Sequence, residues 1–226
     1  MKYKNVKKAE FLDRPNRFIA NVKIDGQIET VHVKNTGRCR ELLIPGCTVF
    51  LEKSDNPARK TGYDLICVQK GDRLINMDSQ APNKVVSEWL QAGGLVPEIT
   101  LLKPECKHGA SRFDFYVETQ QQRMFIEVKG VTLEENGVAM FPDATDRARY
   151  QAFRRAGAGG AGWLCRHGDF CDPDARCDQF YTKSPHTCAF AEALQRAQQA
   201  GVQVLAYDCD VTPDSLCLGK QIPCCI

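Results

Sequence analysis

Nowhere does the chain hold an apolar run long enough to cross a bilayer, and its basic opening, MKYKNVKKAEFLDRPNRF, is not followed by the apolar core of a secretory leader. Neither a membrane partner nor export is expected, and the expected location is cytoplasmic. Charge of one sign is lacking too. Thirty Lys and Arg against twenty-eight Asp and Glu leave +2, so a polyanion has to be met by a local patch. Cysteine is plentiful at twelve, with eight from Cys165 onward, yet no Cys-x-x-Cys pair occurs. That spacing argues against structural zinc, and without a leader the thiols are expected to be reduced. The glycine-rich AGAGGAG at 156–162 has no strand before it and no Gly-Lys-Ser/Thr after it, which excludes a P-loop.

The length, 226 residues, suits two domains. RFIANVKI, IETVHV, CTVFLEK and DLICVQK within residues 17–80 are strand-length runs with β-branched and aromatic content, broken by DG, NTG, PG and DNP. This spacing predicts a small barrel of the OB type over residues 1–80, whose face suits nucleic-acid strands. Inside it lies HVKNTGRCRELL. Asn35, Thr36 and Gly37 form a turn whose backbone N–H groups suit an anion, and Lys34, Arg38 and Arg40 supply positive charge. The other reading is a solvated turn with unrelated surface charges, and His32 is equally readable as a satisfied strand histidine.

From Ala81 the pattern turns helical: APNKVVSEWLQAGGL places Val85, Val86, Trp89 and Leu90 on one face and ends at Gly93 and Gly94, with Glu88 on another side. The stretch after it, VPEITLLKPECKHGA, predicts a strand. Then SRFDFYVETQQQRMFIEVK reads as a β-hairpin, with TQQQR as its turn. Pairing brings Asp114 close to Glu127, and the two-residue period puts Glu127 and Lys129 on one face. Two carboxylates and an ammonium in a small space suit a hard divalent cation and phosphate chemistry. Taken from pairing alone, a solvated cross-strand salt bridge explains them as well. Farther on, Thr132-Leu133 and Val138–Phe141 flank a Glu-Glu-Asn-Gly turn, Asp143 or Thr145 is placed to cap a following helix, Phe190, Leu194 and Ala197 share a helical face ended by Gly201, and VQVLAY is a short strand. The terminal GKQIPCCI suggests no role; its Cys-Cys-Ile is not a prenylation signal.

The combination HVKNTGRCRELLIPG, SRFDFYVE, FIEVKGVTLEENGVAMFPDA and FAEALQRAQQAGVQVLAY resembles the sugar fermentation stimulation protein A family of bacteria and archaea. The resemblance covers most of residues 14–147 and 188–218. It implies an N-terminal OB-like β-barrel followed by a PD-(D/E)xK nuclease-like α/β domain over residues 81–226. On that pattern Asp114 is the first acid, Glu127 the second and Lys129 the lysine, with Phe113 where proline often stands. The implied chemistry is phosphodiester hydrolysis with Mg2+ or Mn2+, held by Asp114, Glu127 and the backbone carbonyl of Val128, with Glu88 as an extra ligand or water holder. DNA is the implied partner, contacted by Lys34, Asn35, Thr36, Gly37, Arg38, Arg40 and Arg112. The alternative is a non-catalytic DNA-binding regulator of sugar (maltose) metabolism. A small-molecule sugar enzyme is a third option, without a sugar-site signature in the residues.

After Arg147 the chain departs from that pattern. The helix lysine of the family is missing, and the run RRAGAGGAGWLCRHGDFCDPDARCDQ holds no continuous apolar segment for a central strand. Residues 148–180 read as an out-of-frame translation inside an otherwise family-like sequence. If the stretch is genuine and in frame, the second domain lacks one strand and part of its site.

Overall fold

The computed structural model describes residues 1–109, 111–135, 138–141, 162–168, 179–182, 195, 197–199 and 201–223. They group into two compact units: Met1–Ala81 with Cys209–Cys217, and the described parts of 82–168, 177–208 and 218–223.

In the first unit six strands follow one another: β1 (Val6–Asn16), β2 (Ile19–Ile24), β3 (Gln27–Val33), β4 (Thr48–Lys53), β5 (Tyr63–Lys70) and β6 (Arg73–Asn76). Their order is β3-β2-β1-β4-β5-β6, and a parallel pairing of β3 with β5 closes five of them into a barrel. Alternation explains the strands. In β2 Ala20, Val22 and Ile24 point inward while Lys23 points out; Val31 and Val33 of β3, Val49 and Leu51 of β4 and Leu65 and Val68 of β5 complete the interior. Sequence reasoning placed β2 to β5 but not β1 or β6. β1 hides among lysines because only Ala9 and Phe11 of its run are buried, and it bends through register shifts at Asp13.

The closing pair is short, His32 with Asp64 and Val33 with Leu65. Side chains reinforce it. Arg59 donates to Asp64 Oδ1 at 2.6 Å and to Oδ2 at 3.0 Å, His32 Nδ1 lies 3.0 Å from Oδ1, and Lys34 Nζ sits 3.7 Å from Asp64 and 2.7 Å from Asp78. Burial pushes the Asp64 carboxyl up, but the Arg59 hydrogen bond, the Lys34 charge and the His32 hydrogen bond outweigh it and hold Asp64 below the usual carboxylate range. At the chain's start, Tyr3 N–H donates to the Asp214 carbonyl at 2.7 Å and Leu216 N–H to the Met1 carbonyl at 3.0 Å. Tyr3 Oη in turn accepts from buried Asn76 at 2.8 Å.

The second unit opens with α1 (Ala81–Gln91). Asp78 Oδ1 accepts the Gln80 N–H at 2.9 Å, and Pro82 stands in the first turn, where its missing N–H costs nothing. The helix ends as expected at the glycine pair. Gly94 N–H reaches the Trp89 carbonyl and Gly93 N–H the Leu90 carbonyl, with Gly93 at φ +75°, a conformation that favours glycine. Among the described residues nine strands follow: β7 (Leu101–His108), β8 (Ser111–Glu118), β9 (Arg123–Val131), β10 (Leu133–Glu135), β11 (Val138–Phe141), β12 (Gly162–Gly168), β13 (Gln179–Thr182), β14 (Gln203–Thr212) and β15 (Ser215–Ile222). The main sheet runs β15-β14-β12-β9-β8-β7, antiparallel through β7, β8 and β9 and parallel through β9, β12 and β14; β10, β11 and β13 form a small sheet. Val86 and Leu90 of α1 pack on Phe115, Val117, Met124 and Ile126.

Two expectations are corrected here. GWLCRHG, read as unable to supply a central strand, forms β12, paired on both sides with β9 and β14. Two ready ladders satisfy its backbone without a long apolar run. GKQI, read as without a role, belongs to β15 at the sheet's edge, where one apolar face suffices: Leu216 and Ile222 are buried. Most of residues 148–180, the possible helix caps Asp143 and Thr145, and Phe190 and Leu194 lie outside the described residues. Ala197 is buried, and Gly201 closes its helix at φ +87°.

Candidate functional site

The hairpin of β8 and β9 brings Asp114, Glu127 and Lys129 together. The ladder runs from Glu118 and Arg123 to Phe115 and Ile126. Beyond it the Val128 N–H is taken by a side chain instead: it donates to Asp114 Oδ2 at 2.7 Å. From α1, Asn83 Nδ2 donates to Asp114 Oδ1 at 2.8 Å. Both oxygens of Asp114 are thus fixed by amides. Lys129 Nζ pairs with Glu127 Oε1.

A solvated salt bridge does not describe this place. The Glu127 and Lys129 side chains are only 13% and 18% exposed. Burial pushes the Glu127 carboxyl up; the Lys129 charge opposes this, while the Asp114 charge and a hydrogen bond to Asp114 add to it, and the balance stays above the usual range. Two carboxylates crowd each other with one ammonium beside them.

The approach of α1 is set by Gly130, next to Lys129. A Cβ there would lie 2.8 Å from Pro82 Cγ, so glycine lets the first turn, and Asn83 with it, sit close on β9. Asn83 was not singled out from the sequence. Its signal is its place in the first helical turn, followed by the hairpin acids. Glu88, the expected extra ligand, is exposed and lies five residues on, about 140° around the helix from Asn83. Among the described residues no group of three or more His, Cys, Asp or Glu side chains is placed for a metal ion; the acidic groups brought together here are the two carboxylates of Asp114 and Glu127.

The basic turn of the first unit is also rearranged relative to expectation. Lys34 faces inward to Asp78 and Asp64 and is 14% exposed, so its charge is already matched. Asn35 Oδ1 accepts the Gly37 N–H at 2.8 Å. The turn is held by a residue that the sequence reading passed over: Arg14 of β1 donates to the carbonyls of Asn35, Gly37, Arg38 and Arg17 at 2.6–2.9 Å. The result is a cleft of about 500 Å³ lined by Arg14, Asn16, Arg17, Thr36, Gly37, Arg38, Arg40 and Leu43. Arg112, expected to contact DNA, is exposed and pairs with Glu105. His32, bonded to Asp64, is a satisfied strand histidine. Among the described residues Cys39, Cys47, Cys67, Cys106, Cys209 and Cys217 form no disulfide, and no described helix is long and apolar enough to cross a membrane.

Comparison with known proteins accounts for nearly the whole chain. Residues 12–77 match the family model for the SfsA N-terminal OB domain, and residues 80–215 that for the sugar fermentation stimulation protein RE domain. The sugar fermentation stimulation protein homolog of Ruminiclostridium cellulolyticum is 52% identical, the alignment covering 98% of each chain. That of Desulfitobacterium hafniense (strain Y51) is 51% identical over 98% of this chain and 97% of its own. The structure of Pyrococcus furiosus SfsA in complex with Ca2+ superposes with a TM-score of 0.86 at 24% identity, covering 100% of this chain and 98% of that one; at that identity it speaks to the fold. The OB barrel, the second domain and the two closely similar homologues together place this chain in the sugar fermentation stimulation protein family.

Proposed function

We propose that the protein binds DNA and cleaves its phosphodiester bonds at Asp114, Glu127 and Lys129, in a second domain of the PD-(D/E)xK nuclease type. The observation that carries this is the facing pair Asp114 and Glu127 beside Lys129, with Asp114 pinned by two amides. The donor set fits a hard divalent cation, Mg2+ or Mn2+, because crowded carboxylates in a largely buried place lose their mutual repulsion when they share one. Asp114, Glu127 and the Val128 carbonyl would hold it. When bound, such an ion polarises a phosphoryl oxygen and lowers the pKa of its water. The Asn83 and Val128 N–H groups keep the Asp114 carboxylate from rotating, which preserves its aim. Lys129 Nζ orients the attacking water and neutralises negative charge that grows on the phosphoryl oxygens. The Pyrococcus furiosus relative was solved with Ca2+, another cation of oxygen ligands.

The arginine cleft favours a second reading, a DNA-binding regulator of sugar metabolism without chemistry, since it offers backbone contacts independent of the acids. One experiment separates the two. Purified protein is incubated with single- and double-stranded DNA and Mg2+ or Mn2+, beside Asp114→Ala and Lys129→Ala. The expected outcome is cleavage that falls at least 100-fold in either variant and stops with chelator. Binding without cleavage in every condition, unchanged in both variants, leaves only the regulator.

A further inference from the structure

We infer that the arginine cleft, with Phe18 at its border, is a binding site for an unpaired nucleic-acid strand, holding phosphate in the cleft and a base against Phe18. This rests on the nucleic-acid reading above and adds the form of the strand and the residues that select it.

Phe18 forms the turn between β1 and β2 and is 52% exposed, although it is a large apolar residue. Its backbone is fixed on both sides. Asn16 Oδ1 accepts the Phe18 N–H at 2.8 Å, and the Phe18 carbonyl accepts the Val33 N–H at 2.8 Å. The exposed ring is therefore carried on an ordered turn. The Arg17 guanidinium lies 5.5 Å from the ring centroid, and Arg17 itself lines the cleft. Aromatic surface and cleft are thus joined through one side chain.

The cleft has the charge a phosphate needs. Arg14, Arg17, Arg38 and Arg40 line it, no described lining residue is a carboxylate, and its volume falls in the usual range for small-molecule sites. Arg14 is occupied with carbonyls and stiffens the wall, whereas Arg38 and Arg40 are exposed. In a duplex the bases already stack on one another and offer no face to a ring on a turn. In a single strand they do, and base stacking beside cationic backbone contacts is the usual means of holding one.

The test uses the full chain and fluorescence anisotropy with labelled oligothymidine, oligouridine and a duplex of equal length. Phe18→Ala is expected to weaken binding of the single strands about tenfold or more, as the loss of one stack requires, with duplex binding unchanged. Phe18→Trp keeps the affinity, and Ile28→Ala, an even more exposed apolar residue on β3, leaves it as it was. Arg38→Ala with Arg40→Ala weakens both forms and flattens the salt dependence by about two contacts. Melting temperatures check that each variant is folded. Phe18→Ala binding single strands as the parent does, or losing duplex and single strand alike, overturns the stacking site. So does an unchanged salt slope in the arginine pair. Failure of the parent protein to bind any of the three probes overturns both this site and the nucleic-acid reading.

Discussion

Asp114 is the residue on which the candidate site turns, and its neighbours were harder to read than the residue itself. Strand alternation and the two-residue spacing of Glu127 and Lys129 were legible in the sequence, because period-two geometry is local. Asn83 was not, because its bond to Asp114 spans thirty-one positions and depends on where α1 lands. The same limit applies to Arg14, three of whose four acceptors, the carbonyls of Asn35, Gly37 and Arg38, lie on a loop more than twenty residues away. Conversely Lys34 looked available on charge alone, and the carboxylates of Asp64 and Asp78 that claim it are thirty and forty-four residues on. Asn83→Ala is expected to lower cleavage, or divalent-cation affinity read by calorimetry, by 10- to 100-fold, the usual loss when a group that orients a ligand is removed. Stability should fall by about 2 kcal/mol, the worth of one hydrogen bond to a charged group. A large loss of stability with no change in affinity would make Asn83 merely structural.

Helix α1 and strand β9 meet through a gap that only glycine leaves open. Gly130→Ala puts a methyl 2.8 Å from Pro82 Cγ, and a proline ring in a first turn is not the end of a flexible chain. The turn must shift, at a cost of about 1–3 kcal/mol. Since Asn83 rides on that turn, activity should fall further than denaturant unfolding alone accounts for, and restoring stability with glycerol should not restore it. Cap and breaker signals made α1 legible end to end: Pro82 at its start and Gly93 at its finish act within a few residues. β12 was illegible for the opposite reason. Its order comes from the backbones of β9 and β14 on either side, and the composition of GWLCRHG carries little trace of them.

Closure of the barrel depends on two residue pairs and an ionic cluster, which makes the fold of the first unit sensitive to acid. Asp64 is held below the usual carboxylate range, so the native state binds fewer protons there than the unfolded chain. Its contribution is complete above the ordinary carboxylate pKa of about 3.9 and disappears as pH falls through the lower folded value. Urea unfolding across that range should show the loss, and Asp64→Asn should flatten it while costing on the order of 3 kcal/mol at neutral pH, because Arg59 and Lys34 then lose their shared partner. The barrel itself was foreseeable from four strand-length runs and their turns. That residues 209–217 group with it was not, since no local pattern announces which segment will meet Met1 to Tyr3. That pairing has a consequence for biosynthesis. Domains usually settle in the order the ribosome makes them, but here the amide of Tyr3 waits for the carbonyl of Asp214. The Tyr3 amide and the Met1 carbonyl thus gain these partners only after some two hundred further residues have been added, whereas Tyr3 Oη meets Asn76 much earlier.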